Sequence, residues 1–116
     1  MDERLKAALD SANFMITFNN QRELIKQTFK ENCLYHEGGR RFTINRELIN
    51  FLSALQSRGL TEDVVVLDDM EIPYMVSNLE KFLDTIFDIY MESSNQYYLD
   101  ITNLMKTRST NKIIGI

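Results

Sequence analysis

The feature that most constrains the fold is a long segment, from Ser77 to about Arg108, with the period of an amphipathic helix. Its apolar residues recur at alternating steps of about three and four, with Ser93 or Ser94 filling one gap, which is the spacing of a coiled-coil seam. The seam consists of Leu79, Leu83, Ile86, Tyr90, Tyr97, Ile101 and Leu104. At 1.5 Å per residue the helix would be roughly 48 Å long. Because a compact domain of this size is shorter, we expect the helix to project or to pair with an equally long element.

The apolar face of this helix is wider than one partner helix would cover. The residues that widen it are Phe82, Phe87, Ile89 and Met105. Tyrosines such as Tyr90, Tyr97 and Tyr98 suit interfaces because they bury area while keeping a polar tip. The competing interpretation is an ordinary intramolecular core. We favour the interface, and we therefore expect the seam residues to contact a second copy of the chain.

The N-terminal third predicts a second long helix, from Asp2 to about Tyr35. Its apolar residues with roughly helical spacing are Leu5, Leu9, Ala12, Ile16, Leu24 and Phe29. The polar stretch from Thr17 to Arg22 contains Asn19 and Asn20, so a break in this helix is the alternative. At the start of the C-terminal helix, Ser77 and Glu80 have the spacing of a capping box.

Shorter elements are predicted between the two long helices. His36–Arg41 contains the only Gly-Gly pair and lies between apolar residues, which predicts a hairpin or loop. Asn45 is suited to cap a short helix that Gly59 ends. Val64–Val76 has the pattern of a second hairpin with an acidic turn, and its proline belongs on an edge strand.

These elements together predict an α+β fold that is mainly helical. We expect residues 1–116 to form a single domain with two long helices packed antiparallel, one short helix and a small antiparallel β-hairpin or sheet. Phe42–Ile44 is a candidate third strand of that sheet.

Composition narrows the classes of function. The formal charge of -4 argues against nucleic-acid binding over the whole surface, although a local basic patch stays open. One cysteine excludes an intrachain disulfide and a cysteine-rich zinc site, which favours a reducing compartment. The sequence has no apolar run of transmembrane length and no signal-peptide pattern. We therefore expect a cytoplasmic protein without a membrane partner.

The residues that carry chemistry have simpler interpretations than catalysis. Asp68, Asp69 and Glu71 supply oxygen ligands of the kind that magnesium or calcium prefers, but they lack the glycine and spread of an EF-hand loop, so a solvated turn is favoured. His36 has no nucleophile motif near it. Cys33 follows an apolar helix face, where a buried, inert thiol is expected. We predict no catalytic residues, no metal site and no cofactor.

A local basic patch gives the alternative function. Lys26 and Lys30 on the first helix, with Arg40 and Arg41 in the Gly-Gly loop, could meet phosphates. The acidic balance and the lack of a recognised fold signature weaken this interpretation.

The order of several segments resembles a family. These are GGRRFTI, the apolar helix NRELINFLSAL, a VVVLDD turn, the strand EIPYMV and a final helix ending NQYYLDITNLMKTRS. In this order they are similar to small uncharacterised proteins of contractile-tailed bacteriophages, and the similarity covers most of the chain. The resemblance implies a viral protein made in the cytoplasm of a bacterial host. It implies no catalytic residues.

The sequence therefore predicts a non-enzymatic interaction or assembly protein that uses amphipathic helix faces. We expect a homo-oligomer, with a dimer as the default because two-fold homodimers are the commonest closed assembly. A phage or host protein is an additional candidate partner. The alternative is a nucleic-acid-binding accessory factor that uses the basic patch.

Overall fold

The computed structural model describes residues 2–113, and the side chains of residues 2–107. Its elements in chain order are α1 (Glu3–Asn32), β1 (Leu34–Glu37), β2 (Arg40–Thr43), α2 (Arg46–Ser57), β3 (Glu62–Leu67), β4 (Pro73–Asn78) and α3 (Leu79–Ile113). This architecture confirms the mainly helical α+β prediction. The described residues form two compact units: one joins the chain up to Phe29 with the chain from Asn95 onward, and the other is Lys30–Ser94.

The first unit is an antiparallel pair of helical segments. The rings of Phe29 on α1 and Tyr97 on α3 pack edge to face, with centroids 4.6 Å apart. Leu24 and Ile25 line a groove with Leu104, seven residues further along α3 than Tyr97. Because earlier α1 residues meet later α3 residues, the segments run in opposite directions, as predicted.

Helix α1 is continuous, so the predicted alternative of a break near Asn19 and Asn20 is wrong. Both asparagines are exposed. Phe18, which precedes them, is 5% exposed, and Ile25 and Phe29 lie on the same face of the helix. Packing of this face stabilises the helix across residues whose helix propensity is low.

The second unit contains two separate hairpins. In the first, Tyr35 pairs with Phe42 and Glu37 with Arg40, and Gly38 and Gly39 form the turn with φ values of 57° and 76°. Two successive positive φ values characterise a type I′ turn, which glycine adopts without a steric penalty. The Gly-Gly pair therefore predicted this hairpin correctly.

The second hairpin pairs Val64 with Val76 and Leu67 with Pro73. Its strands form their own two-stranded sheet, and β2 pairs only with β1 among the described strands. The predicted alternative of Phe42–Ile44 as a third strand is therefore wrong. The ladder partner of β2 is the strand that the Gly-Gly turn places beside it.

The helix termini are defined by local hydrogen bonds. Asn45 caps α2 as expected, because its Oδ1 accepts a hydrogen bond from the backbone N–H of Leu48 at 2.8 Å. At the other end of α2, the N–H of Leu60 donates to the carbonyl of Leu55, and Gly59 has φ of 79°. This is the bonding of a Schellman motif.

Helix α3 begins one residue later than the predicted capping box requires. The cap is Asn78, whose Oδ1 accepts from the backbone N–H of Lys81 at 3.1 Å. Ser77 lies within β4. Asn78 both ends the β4 ladder, opposite Glu62, and starts the helix. The capping-box prediction is therefore wrong.

The core of the second unit is aromatic and aliphatic. The ring of Phe82 on α3 contacts that of Phe42 at 5.4 Å and that of Tyr35 at 6.0 Å between centroids. On β3, Val64 and Val66 are buried whereas Val65 is half exposed, so one face of the second hairpin covers this core. Full burial of each large apolar side chain contributes about 1.5–3 kcal/mol.

Candidate interaction surfaces

The predicted seam of α3 lies largely in the interior of a single chain. Leu79 and Ile86 are fully buried, Leu83 is 7% exposed and Leu104 is 8% exposed. The remaining seam residues, Tyr90, Tyr97 and Ile101, are half-buried. A self-interface formed by the buried residues would require them to leave their own core. Sequence reasoning underestimated the apolar area that two hairpins and a short helix can cover.

Helix α1 carries a second apolar stripe on the side opposite its covered face. Leu5 is 53% exposed, Leu9 45% and Ile16 59%, and Ala12 between them is exposed. Their steps of four, three and four place them on one side of the helix, roughly half a turn from Phe18. We call Leu5, Leu9, Ala12 and Ile16 the α1 outer stripe. Several adjacent exposed apolar residues on one helix face are typical of an interaction surface.

Helix α3 carries a row of exposed carboxylates at every fourth position. The members of this acidic row are Glu80, Asp84, Asp88 and Glu92. Like charges four residues apart destabilise a helix by about 0.2–0.5 kcal/mol per pair. Phe87 and Met91, which are 47% and 43% exposed, lie beside the row. The acidic row therefore borders an apolar surface.

Helix α1 carries a matching row of positive charges. Arg22, Lys26 and Lys30 are exposed, and each is four residues from the next. We call these three residues the basic row. Among the residues that the structure describes, no member of the acidic or basic row forms an ion pair. Lys26 and Lys30 of the basic row are two of the four residues predicted for the nucleic-acid alternative.

The other two residues of that alternative, Arg40 and Arg41, contact the acidic turn. Arg40 Nη1 lies 3.3 Å from Asp68 Oδ2, and Arg41 Nε donates to Asp69 Oδ2 at 3.0 Å. Both guanidinium groups therefore face a carboxylate of the same chain. This pairing reduces the positive charge that they can offer to a phosphate.

The first carboxylate of the acidic turn organises the turn itself. Asp68 Oδ1 accepts hydrogen bonds from the backbone N–H groups of Met70, at 2.8 Å, and Ile72, at 2.9 Å. The bond from Ile72 contributes most to lowering the pKa of Asp68, and Arg40 lowers it further. The carboxylate thus holds the chain reversal between β3 and β4.

The second carboxylate joins the two hairpins. Asp69 accepts from the backbone N–H and from the Oγ1 of Thr43, both at 2.7 Å. Partial burial acts to raise the pKa of Asp69, but the bonds from Thr43 and Arg41 outweigh it, so the net shift is downward. In the described part of the chain, no three metal-ligating side chains are grouped as a metal site would require. Asp68 and Asp69 are therefore structural, rather than merely solvated as predicted.

A cluster of two tyrosines and a glutamate was missed by sequence reasoning. Tyr35 Oη donates to Glu37 Oε1 at 2.9 Å, and interaction with Glu37 raises the pKa of Tyr74. Burial, followed by this bond to Glu37, raises the pKa of Tyr35 to about 12. The three side chains line a pocket of about 270 Å³ with Lys81. Tyr35 and Glu37 lie on the same face of β1, and the arrangement of the two hairpins places Tyr74 of β4 beside them, which no local spacing indicates.

Gly38 has a steric role beside this cluster. A Cβ at this position would lie 3.1 Å from Tyr74 Oη, and φ is +57°.

His36, between Tyr35 and Glu37, is exposed, and Cys33 is 3% exposed. Burial raises the pKa of the Cys33 thiol, which disfavours the reactive thiolate. The predicted inert thiol is consistent with this burial.

The outer face of the second hairpin exposes apolar side chains. Val65 and Leu67 on β3 are 51% and 55% exposed, and with Phe51 of α2 they line a groove of about 360 Å³. Thr43 and Asp69 form its polar end. The alternation of buried and exposed valines on β3 is the signal from which this face could have been predicted.

Among the described helices, none combines the length and hydropathy that a membrane span requires. No family model matches the chain, and no curated protein or solved structure is significantly similar to it.

Proposed function

We propose that this chain is a non-enzymatic assembly protein that binds further copies of itself through helix faces. The observation that supports the proposal is the α1 outer stripe. All described residues from Asp2 to Asn13 are exposed, and this part of α1 includes two leucines of the stripe. Helical segments shorter than about 12–15 residues are marginal in water without packing. A partner on the stripe would stabilise this part of the helix.

A second copy suits the α1 outer stripe because the stripe is self-complementary. Successive residues of the stripe are four, three and four positions apart, so the spacing is the same in both directions along the helix. In two antiparallel copies, Leu5 would face Ile16 of the partner, and Leu9 would face Ala12. A contact of this kind is isologous and produces a two-fold dimer. Such a pair would be a short coiled coil at the start of α1.

Replacing Leu9 and Ile16 with glutamate tests this proposal. Both side chains are about half exposed, so the substitutions should leave the chain folded while placing charge in the interface. At equal protein concentration, we expect light scattering to report a smaller mass for this variant than for the wild type. Circular dichroism should show that the helices persist.

The matched control replaces Ala7 and Thr17 with glutamate. These residues are exposed and lie off the stripe, and the change in charge is the same. The control should associate like the wild type. Equal masses for the wild type and the Leu9→Glu, Ile16→Glu variant would show that the stripe is not part of the interface.

The nucleic-acid alternative has less support. Arg40 and Arg41 face carboxylates of their own chain, which leaves Lys26 and Lys30 as the cations not engaged in this way. Phosphate-driven binding would appear in a gel shift that weakens steeply with salt. A phage origin, a bacterial cytoplasm and a phage or host partner belong to the main proposal and rest on the sequence resemblance alone.

A further inference from the structure

The acidic row of α3 and the basic row of α1 are complementary in charge and spacing. Four residues of helix rise about 6 Å, so the basic row spans about 12 Å and the acidic row about 18 Å. Three cations can therefore meet three carboxylates in succession. Among the described residues neither row is neutralised within one chain.

The surface around the acidic row suits lysine and arginine in particular. Phe87 and Met91 lie beside the carboxylates and are nearly half exposed. The aliphatic stems of lysine and arginine cover apolar surface while their charged ends reach carboxylates. A basic row lying along α3 would therefore cover both aromatic and thioether surface and neutralise the acidic row.

We propose that the acidic row of one copy binds the basic row of a second copy. This inference rests on the proposed self-association and names a contact separate from the α1 outer stripe. Each copy carries both rows, so the contact either closes reciprocally between two copies or continues head to tail into a ring or a filament. Lys26 and Lys30 then bind protein carboxylates, not nucleic acid.

Charge reversal with mixing tests the contact. The acidic-row variant carries Asp84→Lys and Asp88→Lys, and the basic-row variant carries Lys26→Glu and Lys30→Glu. In the acidic-row variant the two central carboxylates become lysines that repel the basic row, and in the basic-row variant two cations become glutamates that repel the acidic row. In sedimentation experiments at low salt, each should associate at least about tenfold more weakly than the wild type, given several exposed ion pairs and their reversal.

Where one variant contacts the other, the new lysines face the new glutamates and each unchanged row faces an unchanged row of opposite sign. We expect the mixture to regain association to within about threefold of the wild type, and added salt to weaken both by screening exposed charges. The matched control for the acidic-row variant is Glu47→Lys with Glu62→Lys. It changes the net charge equally at exposed residues outside both rows and should associate like the wild type.

The outcomes separate the two proposals. A wild type that stays monomeric at every concentration overturns both self-association and the contact between rows. If the wild type associates, two results overturn only the contact between rows. In one, both variants associate as strongly as the wild type; in the other, the mixture does not regain association. Weaker association of each variant alone, with recovery in the mixture, supports the contact between rows.

Discussion

Asp69 connects the two hairpins of the Lys30–Ser94 unit through a single side chain. Its carboxylate accepts three hydrogen bonds, two from Thr43 and one from Arg41, and its backbone N–H donates to the carbonyl of Arg41 at 3.0 Å. Hydrogen bonds to a charged group contribute about 1.5–3 kcal/mol when both partners are present. This one residue therefore couples the acidic turn to the end of β2.

The lowered pKa values of Asp68 and Asp69 predict how stability depends on pH. A group whose pKa is lower in the folded state stabilises the fold above its unfolded pKa, and that contribution is lost as pH falls through the folded pKa. We therefore expect the free energy of unfolding to decrease from about pH 5 downward, since an unperturbed aspartate titrates near pH 3.9. Urea titrations at several pH values measure this decrease in the free energy of unfolding.

Asp69→Asn is the variant that isolates this effect. It should be less stable than the wild type near neutral pH and should lose less stability on acidification. Asp10→Asn removes an exposed carboxylate outside the stripe and both rows, and as the control it should change the free energy of unfolding near neutral pH by less than about 0.5 kcal/mol. An Asp69→Asn variant with an unchanged slope would contradict the role assigned to this carboxylate.

The acidic turn was predictable from the sequence, but its bonding partners were not. The run Asp68 to Glu71 between two β-prone segments is a local signal. Arg41 and Thr43 lie 28 and 26 positions away from Asp69 along the chain. Only the arrangement of the two hairpins brings these groups together, and neither spacing nor composition encodes it.

At the level of the elements, α3 shows what hydrophobic periodicity determines. The three-and-four spacing predicted the helix and the residues of its apolar face, because that information is local. It did not determine what covers the face, since the covering surface comes from other elements. The same limit applies to α1, where the apolar residues with helical spacing include members of two opposite sides of the helix.

A pair of identical substitutions on α3 distinguishes its covered and exposed faces. Leu83 is 7% exposed and Leu99 is 53% exposed. Leu83→Ala should lower the free energy of unfolding by about 2–5 kcal/mol, and Leu99→Ala by less than about 1 kcal/mol. Urea denaturation measures both. The Leu83→Ala variant should keep the wild-type mass in light scattering, since its side chain lies in the core of its own chain.

If instead Leu83→Ala dissociated the assembly while leaving the stability of the separated chains unchanged, the seam of α3 would be an interface. The assignment of Leu79, Leu83 and Ile86 to an intramolecular core would then be wrong.

The whole molecule combines two compact units with different kinds of surface. The Lys30–Ser94 unit has a buried apolar core to which its hairpins, α2 and the start of α3 all contribute. In the other unit, α1 exposes Leu5, Leu9 and Ile16 on one side, whereas its opposite side is at least half-buried at Phe18, Ile25 and Phe29. A chain with such a helix lowers its free energy by covering the stripe. This exposed stripe is the basis of the proposed self-association.

The most direct test of self-association is the mass of the wild-type protein in solution, measured by light scattering after size exclusion across a range of protein concentrations. We predict a mass of two or more chains that rises with concentration, since the stripe and the charged rows are separate contacts. A mass of 13.6 kDa that stays constant up to the highest concentration would contradict self-association.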